Sequence, residues 1–275
     1  MVETSMRKTL KVGIAGFGTI GKVVGLALDK GMPGLELVAI ASGNPDKAKA
    51  AMAGLSQPVP VVSAKALADL ADVIVECAPT AAFMDIAEPA LCQGRTLVTV
   101  SGAAILQHPE VVELAQRHGA QILLATGALL GLDAVRAAAK GTIHSVTMVT
   151  RKPPTSLTKA KFIVENNIQL LGLEEPLRVF KGSAREGAEK FPSNVNVAAS
   201  LGLAGLGAEQ TQLEIWADPG KTRNTHTIKV DADSASFEMT IENVPTVENP
   251  GTGRITALSV LAALESLTAA LRVGS

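Results

Sequence analysis

Apolar residues in the first 126 positions fall into short continuous runs, each followed by a stretch with helical spacing. Residues 10–15 form the first run, and after it Ile20, Val23, Val24, Ala27 and Leu28 line one face of a helix. Further strand-like runs lie at 35–41, 59–62, 72–77, 96–100 and 121–125, with helix-forming segments at 64–71, 80–93 and 109–118. This alternation predicts a parallel, doubly wound sheet of the α/β class.

From about residue 128 the rhythm changes. Longer segments at 144–151, 211–217, 225–230 and 236–242 alternate apolar and polar positions, the pattern of a sheet covered on one face. Helical runs at 158–170 and 196–206 lie between them, and a last one covers 253–272. The chain therefore reads as two domains. The first spans 1–127 and is rejoined by a C-terminal helix at about 253–275, and the second is an α+β substrate and oligomerisation domain over 128–252. Clusters such as Asp218-Pro219-Gly220 mark turns rather than linkers.

The turn after the first strand reads Gly16-Phe17-Gly18-Thr19-Ile20-Gly21. In a Gly-x-Gly-x-x-Gly loop between strand and helix, the first glycine permits the tight turn and the second lets the backbone approach a pyrophosphate. The third lets helix and strand pack closely, and the helix N-terminus presents free N–H groups to the phosphate charge. The flanking elements make this a Rossmann domain for NAD or NADP, with Gly16, Phe17, Gly18, Thr19, Ile20 and Gly21 forming the cofactor loop. NAD-specific sites place Asp or Glu at the end of the second strand. This chain has Ala41-Ser42-Gly43-Asn44 there, with Lys47 nearby. With no carboxylate to repel a 2′-phosphate, Ser42 and Asn44 are expected to accept either cofactor, turn formation being the other role open to them.

Composition narrows the partners. With 25 basic and 26 acidic residues, net charge −1, the chain offers no broad field for nucleic acid or an anionic membrane, which leaves small molecules and copies of itself. Two cysteines, Cys77 and Cys92, are too few for a disulfide framework, and no apolar stretch reaches the length of a membrane span. A cytoplasmic setting is the expectation, and no metal site is expected.

Two polar clusters in the second half stand out. His226 lies in Lys221-Thr222-Arg223-Asn224-Thr225-His226-Thr227-Ile228, a polar, turn-bounded entry to a strand where side chains can converge on a substrate. His108, His118 and His144 sit beside a helix or at a strand start. The second cluster, Phe191 to Ala199, precedes an apolar helix that Asn194 or Asn196 is placed to cap, and such a helix end also favours anions.

Phe191-Pro192-x-Asn194-Val195-Asn196-Val197-Ala198-Ala199, Arg223-Asn224-x-His226-x-Ile228, Thr126-Gly127-Ala128 with Gly131-Leu132-Asp133, and Arg151-Lys152-Pro153-Pro154 follow the glycine loop in order. Together they resemble the L-aspartate dehydrogenase family over nearly the whole chain. Leu130 departs from the smaller residue expected in its run. The resemblance implies NAD(P)-dependent interconversion of L-aspartate with iminoaspartate, which hydrolyses to oxaloacetate and ammonia. It makes His226 the catalytic residue and adds Ala128 and Asn196 as contacts near the nicotinamide. An imidazole with a pKa near 6.5 suits proton transfer at neutral pH. A substrate with two carboxylates needs cations or clustered N–H donors, for which Arg151, Lys152, Arg223, Asn224 and Asn194 are the candidates. Because fold alone does not fix chemistry, another two-domain reductase, such as a dihydrodipicolinate reductase or homoserine dehydrogenase, and a non-catalytic NAD(P)-binding regulator are the competing readings. The half-covered sheet predicts a homodimer or larger homo-oligomer.

Overall fold

The computed structural model describes residues 8–191, 195–249 and 251–274. They divide into two units: the described residues up to Ala125 together with Ala257–Arg272, and Thr126–Thr256 together with the described residues from Val273.

In the first unit, strands β1 (Leu10–Ala15), β2 (Leu35–Ala41), β3 (Val61–Val62), β4 (Val73–Glu76), β5 (Thr96–Thr99) and β6 (Gln121–Leu124) form a parallel sheet in the order β3-β2-β1-β4-β5-β6. Helices α1 (Thr19–Asp29), α2 (Pro45–Ala51), α3 (Ala64–Leu70), α4 (Phe83–Cys92), α5 (Gly102–Gln107) and α6 (Glu110–His118) lie between the strands. Successive strand residues point to opposite faces, so each strand feeds two cores. Val12, Ile14, Ile40, Val73 and Val75 pack with Val24, Leu28, Val260 and Leu264. Ala15, Ala39, Ile74 and Leu97 pack with Leu67, Phe83, Ala90 and Leu91 in the other core. Winding reverses between β1 and β4, where loops leaving the C-terminal strand ends diverge and open a crevice.

Two details differ from the sequence expectation. The strand expected at 59–62 is only Val61–Val62, because Pro58 and Pro60 have no N–H to give to a ladder. Pro60 instead contributes its carbonyl to the Ile40 N–H at 3.0 Å. The segment after β2 is helical: Asn44 caps α2 by accepting the Lys47 N–H at 3.0 Å, and Pro45 opens the helix.

The second unit contains α7 (Leu132–Ala138), β7 (Ile143–Lys152), α8 (Lys161–Glu165), β8 (Leu177–Ser183), α9 (Ala184–Lys190), α10 (Asn196–Ala204), β9 (Gln212–Ala217), β10 (Asn224–Ala232) and β11 (Ser236–Asn243). The last helix, α11 (Arg254–Thr268), starts here and counts with the first unit from Ala257. The sheet order is β11-β10-β7-β9-β8, antiparallel except for β7 with β9. One face is buried: Val146, Met148 and Thr150 of β7 lie beside Val230, Ile228 and His226 of β10 and Leu213 and Ile215 of β9. The other face carries Thr147, Val149, Arg151, Glu214, Trp216, Thr227 and Lys229 at the alternate positions.

The helix expected at 158–170 shrinks to α8. The Asn166 side-chain amide donates to the Phe162 carbonyl at 2.8 Å, and Asn167 takes a left-handed φ of 52°, which stops the helix. Strand β8 escaped the pattern reading because a bulge between Arg178 and Phe180 buries the adjacent residues Val179 and Phe180 and breaks the period of two. Phe180 then packs with Phe162 and Phe191.

Candidate active site

The glycine loop occupies the C-terminal end of β1, at the reversal point of the first sheet. Gly16 has φ of 91°, and a Cβ there would run into the backbone of Cys77 and Ala78. A Cβ on Gly21 would fall on the Gly16 carbonyl, so that position lets α1 pack against the loop. Gly18 is the N-cap of α1, has nothing among the described residues within 4 Å of its Cβ position, and makes no side-chain cap. No acidic residue occupies the first turn of α1. Neither the N-cap nor the first turn thus brings a side chain or a carboxylate of its own to the first-turn N–H groups, and the loop fits a dinucleotide pyrophosphate.

Beside this loop lies Glu76, which sequence reasoning passed over inside an apolar run. The last residue of β4, it is fully buried, accepts the Thr99 hydroxyl at 2.6 Å and the Ala78 N–H at 2.9 Å, and has its pKa raised by burial. Through Ala78 it fixes the segment that backs Gly16. A lone carboxylate in an otherwise apolar strand was the available signal.

At the end of β2, Ser42 and Asn44 make a turn. The Ser42 hydroxyl donates to the Asn44 carbonyl at 3.1 Å and accepts the Asn44 N–H at 3.2 Å, and the Asn44 side chain is engaged in capping α2.

In the second unit, the last inward positions of β7 and β10 come together. His226 stands opposite Thr150 in the ladder, and its Nδ1 lies 3.1 Å from the Thr150 hydroxyl. Lys152, two residues on and on the same face, is only 4% exposed, as is His226. Burial lowers the lysine to about 8. Burial and the Lys152 charge lower the histidine to about 3, so its imidazole is neutral in the free protein. Asn224 shares this face by register and pairs with Asn243 of β11. Asn243 donates from Nδ2 to the Ala128 carbonyl at 3.0 Å, tying the loop after β6 to the same end of the sheet.

The substrate-binding set proposed from sequence is therefore divided. Lys152 and Asn224 join His226, whereas Arg151 does not. One residue out of phase with Lys152, Arg151 points to the opposite face, where it pairs with Asp218 at 3.0 Å and lies 4.8 Å over the Trp216 ring. Arg223 is exposed in the turn before β10 and acts on Glu242, which also holds Lys221 at 2.8 Å. Asn194 lies outside the described residues. Asn196 does not cap α10: Val195 holds the N-cap position without a side-chain bond, and Asn196 is the first helical residue. Thr150 and Asn243 were missed because each is one polar residue whose inward phase emerges only once the strand register is known.

Fold and loop define the class, an NAD(P)-dependent oxidoreductase of the Rossmann type. Residues 16–125 match the family model for the NAD-binding domain of homoserine dehydrogenase, and 133–267 match that for the C-terminal part of aspartate dehydrogenase. L-aspartate dehydrogenase of Bradyrhizobium diazoefficiens is 50% identical over 275 residues, covering 100% of this chain and 98% of that protein. L-aspartate dehydrogenase 3 of Bordetella bronchiseptica is 48% identical, covering 98% of this chain and 100% of that protein. The chain belongs to the L-aspartate dehydrogenase family. The crystal structure of aspartate dehydrogenase from Thermotoga maritima matches with a TM-score of 0.75 at 25% identity, over 96% of this chain and 99% of that one. A homoserine dehydrogenase from Thiobacillus denitrificans, at 16% identity and a TM-score of 0.62, shares the fold.

Proposed function

We propose that this chain interconverts L-aspartate and iminoaspartate, the imine hydrolysing to oxaloacetate and ammonia. The observation that carries the reading is the buried Thr150–His226–Lys152 constellation in a chain of this family. An amine gives up hydride from its carbon only when the nitrogen is unprotonated, so the site must hold and move protons. Bound NAD or NADP supplies the hydride acceptor. His226, oriented through Nδ1 by Thr150, is the proposed catalytic base. Two arriving carboxylates offset the positive charge that disfavours its protonation. Asn224, on the same face, is placed to receive a carboxylate, and Ala128 and Asn196 are the proposed contacts of the nicotinamide.

Use of both cofactors remains part of the proposal, supported by the lack of a carboxylate at the end of β2. So do assembly as a homodimer or larger homo-oligomer, a cytoplasmic setting, and a role either in supplying iminoaspartate to pyridine nucleotide synthesis or in making aspartate from oxaloacetate. The free Cys77 and Cys92 suit a reducing compartment. The test is NADH and NADPH oxidation with oxaloacetate plus ammonium, against pyruvate, 2-oxoglutarate and aspartate semialdehyde. Turnover confined to oxaloacetate plus ammonium is expected, and activity only on aspartate semialdehyde would replace this reading with a homoserine dehydrogenase.

A further inference from the structure

Lysine is seldom fully buried, because taking an ammonium out of water is costly. Lys152 is nonetheless 4% exposed at the last inward position of β7. The strand could have ended one residue earlier, as its alternation suggested, leaving Lys152 in the loop. Instead, the Asp218 N–H donates to the Lys152 carbonyl at 2.8 Å, and the ladder pairs Lys152 with Ala217. The backbone is thereby fixed with the side chain on the same face as Thr150 and His226.

The geometry points to Lys152 as the group that takes the α-ammonium proton of L-aspartate, with His226 left for the water that attacks the imine. This rests on the proposed aspartate reaction and divides its proton work between two residues. The neutral Lys152 amine takes one proton from the substrate nitrogen, whose electron pair stays behind. The Cα–H bond then leaves as hydride to the nicotinamide, the nitrogen pair forms C=N, and N-protonated iminoaspartate and a lysine ammonium remain. In the reverse direction the ammonium of Lys152 returns the proton to the new amine.

The surrounding charges favour this order. His226 is the titratable neighbour on β10, and each positive charge opposes the other, so the first proton goes to the stronger base, Lys152, at about 8 against about 3. From β9 and its following turn, Asp218 gives its carboxylate to Arg151 and to the Gly220 N–H on the other side. Lys221 and Arg223 are directed to Glu242 of β11.

The experiment compares wild type with Lys152→Met and Lys152→Arg. It measures aspartate oxidation from pH 6 to 10 and, separately, the affinity of succinate, a dicarboxylate with no amine. Wild-type oxidation is expected to rise with pH through about 8, and reductive amination to fall over the same range. Both variants should lose about a hundredfold or more in kcat, with the limb near pH 8 gone. Arginine keeps the charge but cannot give up its proton, so it should not rescue. Succinate affinity should stay within about threefold in Lys152→Arg, showing a folded pocket. Recovery of kcat by Lys152→Arg, or a retained pH limb in Lys152→Met, would make Lys152 a carboxylate anchor and overturn the role. Should the variants not fold, wild type decides: succinate affinity falling more than about tenfold between pH 7 and 9 marks an anchor, and a change under about threefold supports the base. Wild-type enzyme that binds NADH but never turns over aspartate or oxaloacetate would instead remove the aspartate reading itself.

Discussion

At the scale of single residues, the informative feature is that neighbours in sequence go to opposite faces. Arg151 and Lys152 look interchangeable as cations, yet the pleat sends one to an ion pair with Asp218 and the other to His226. The motif around His226 was legible because a histidine in a polar strand entry is unusual. Its partner Thr150 was not, since a threonine in an alternating strand carries no signal until the ladder puts it opposite. His226→Ala should reduce turnover by roughly a hundredfold or more while cofactor affinity is retained. Thr150→Val, which frees the ring without removing it, should cause a smaller loss. Steady-state kinetics with a separate NADH titration tests both, and near-normal turnover of His226→Ala would refute its role.

At the scale of elements, what matters is how the ends of strands are held. The Thr126–Gly131 loop is tied to β11 by the hydrogen bond from Asn243 to the Ala128 carbonyl. Asn243 is 3% exposed, and its Oδ1 packs beside Gly253 with no hydrogen-bond partner among the described residues. Asn243→Ala strands the Ala128 carbonyl, so stability should fall by about 1–3 kcal/mol by thermal or urea unfolding. If Ala128 faces the nicotinamide, KM for the cofactor should rise more than KM for ammonium. An unchanged unfolding midpoint would show that the loop is held otherwise. Periodicity found the longer strands and α1 because apolar spacing alone specifies them. Helix α8 and strand β8 were misjudged because an asparagine cap and a bulge override the period locally.

At the scale of the molecule, the second sheet carries a polar, half-buried face, with Arg151 and Arg178 stacked on Trp216 and Glu214 between Arg178 and Lys181. A polar face with an aromatic centre suits a symmetric partner. Light scattering at micromolar concentration should report a species heavier than the 28.3 kDa chain, and Trp216→Glu should shift it toward that mass. A single 28.3 kDa species in the unaltered protein would rule out the assembly.

The sequence by itself determined the glycine loop, the parallel sheet around it and the change to half-covered strands near residue 128, because these are set by local spacing and by where glycine is required. It also determined which residue types are available for the chemistry. Only the tertiary structure decided which of them meet. Burial, which holds Lys152 and His226 below their ordinary pKa values, and register, which sets Thr150 against His226 and sends Arg151 away, arise from strands far apart in the chain. No spacing within one segment encodes them.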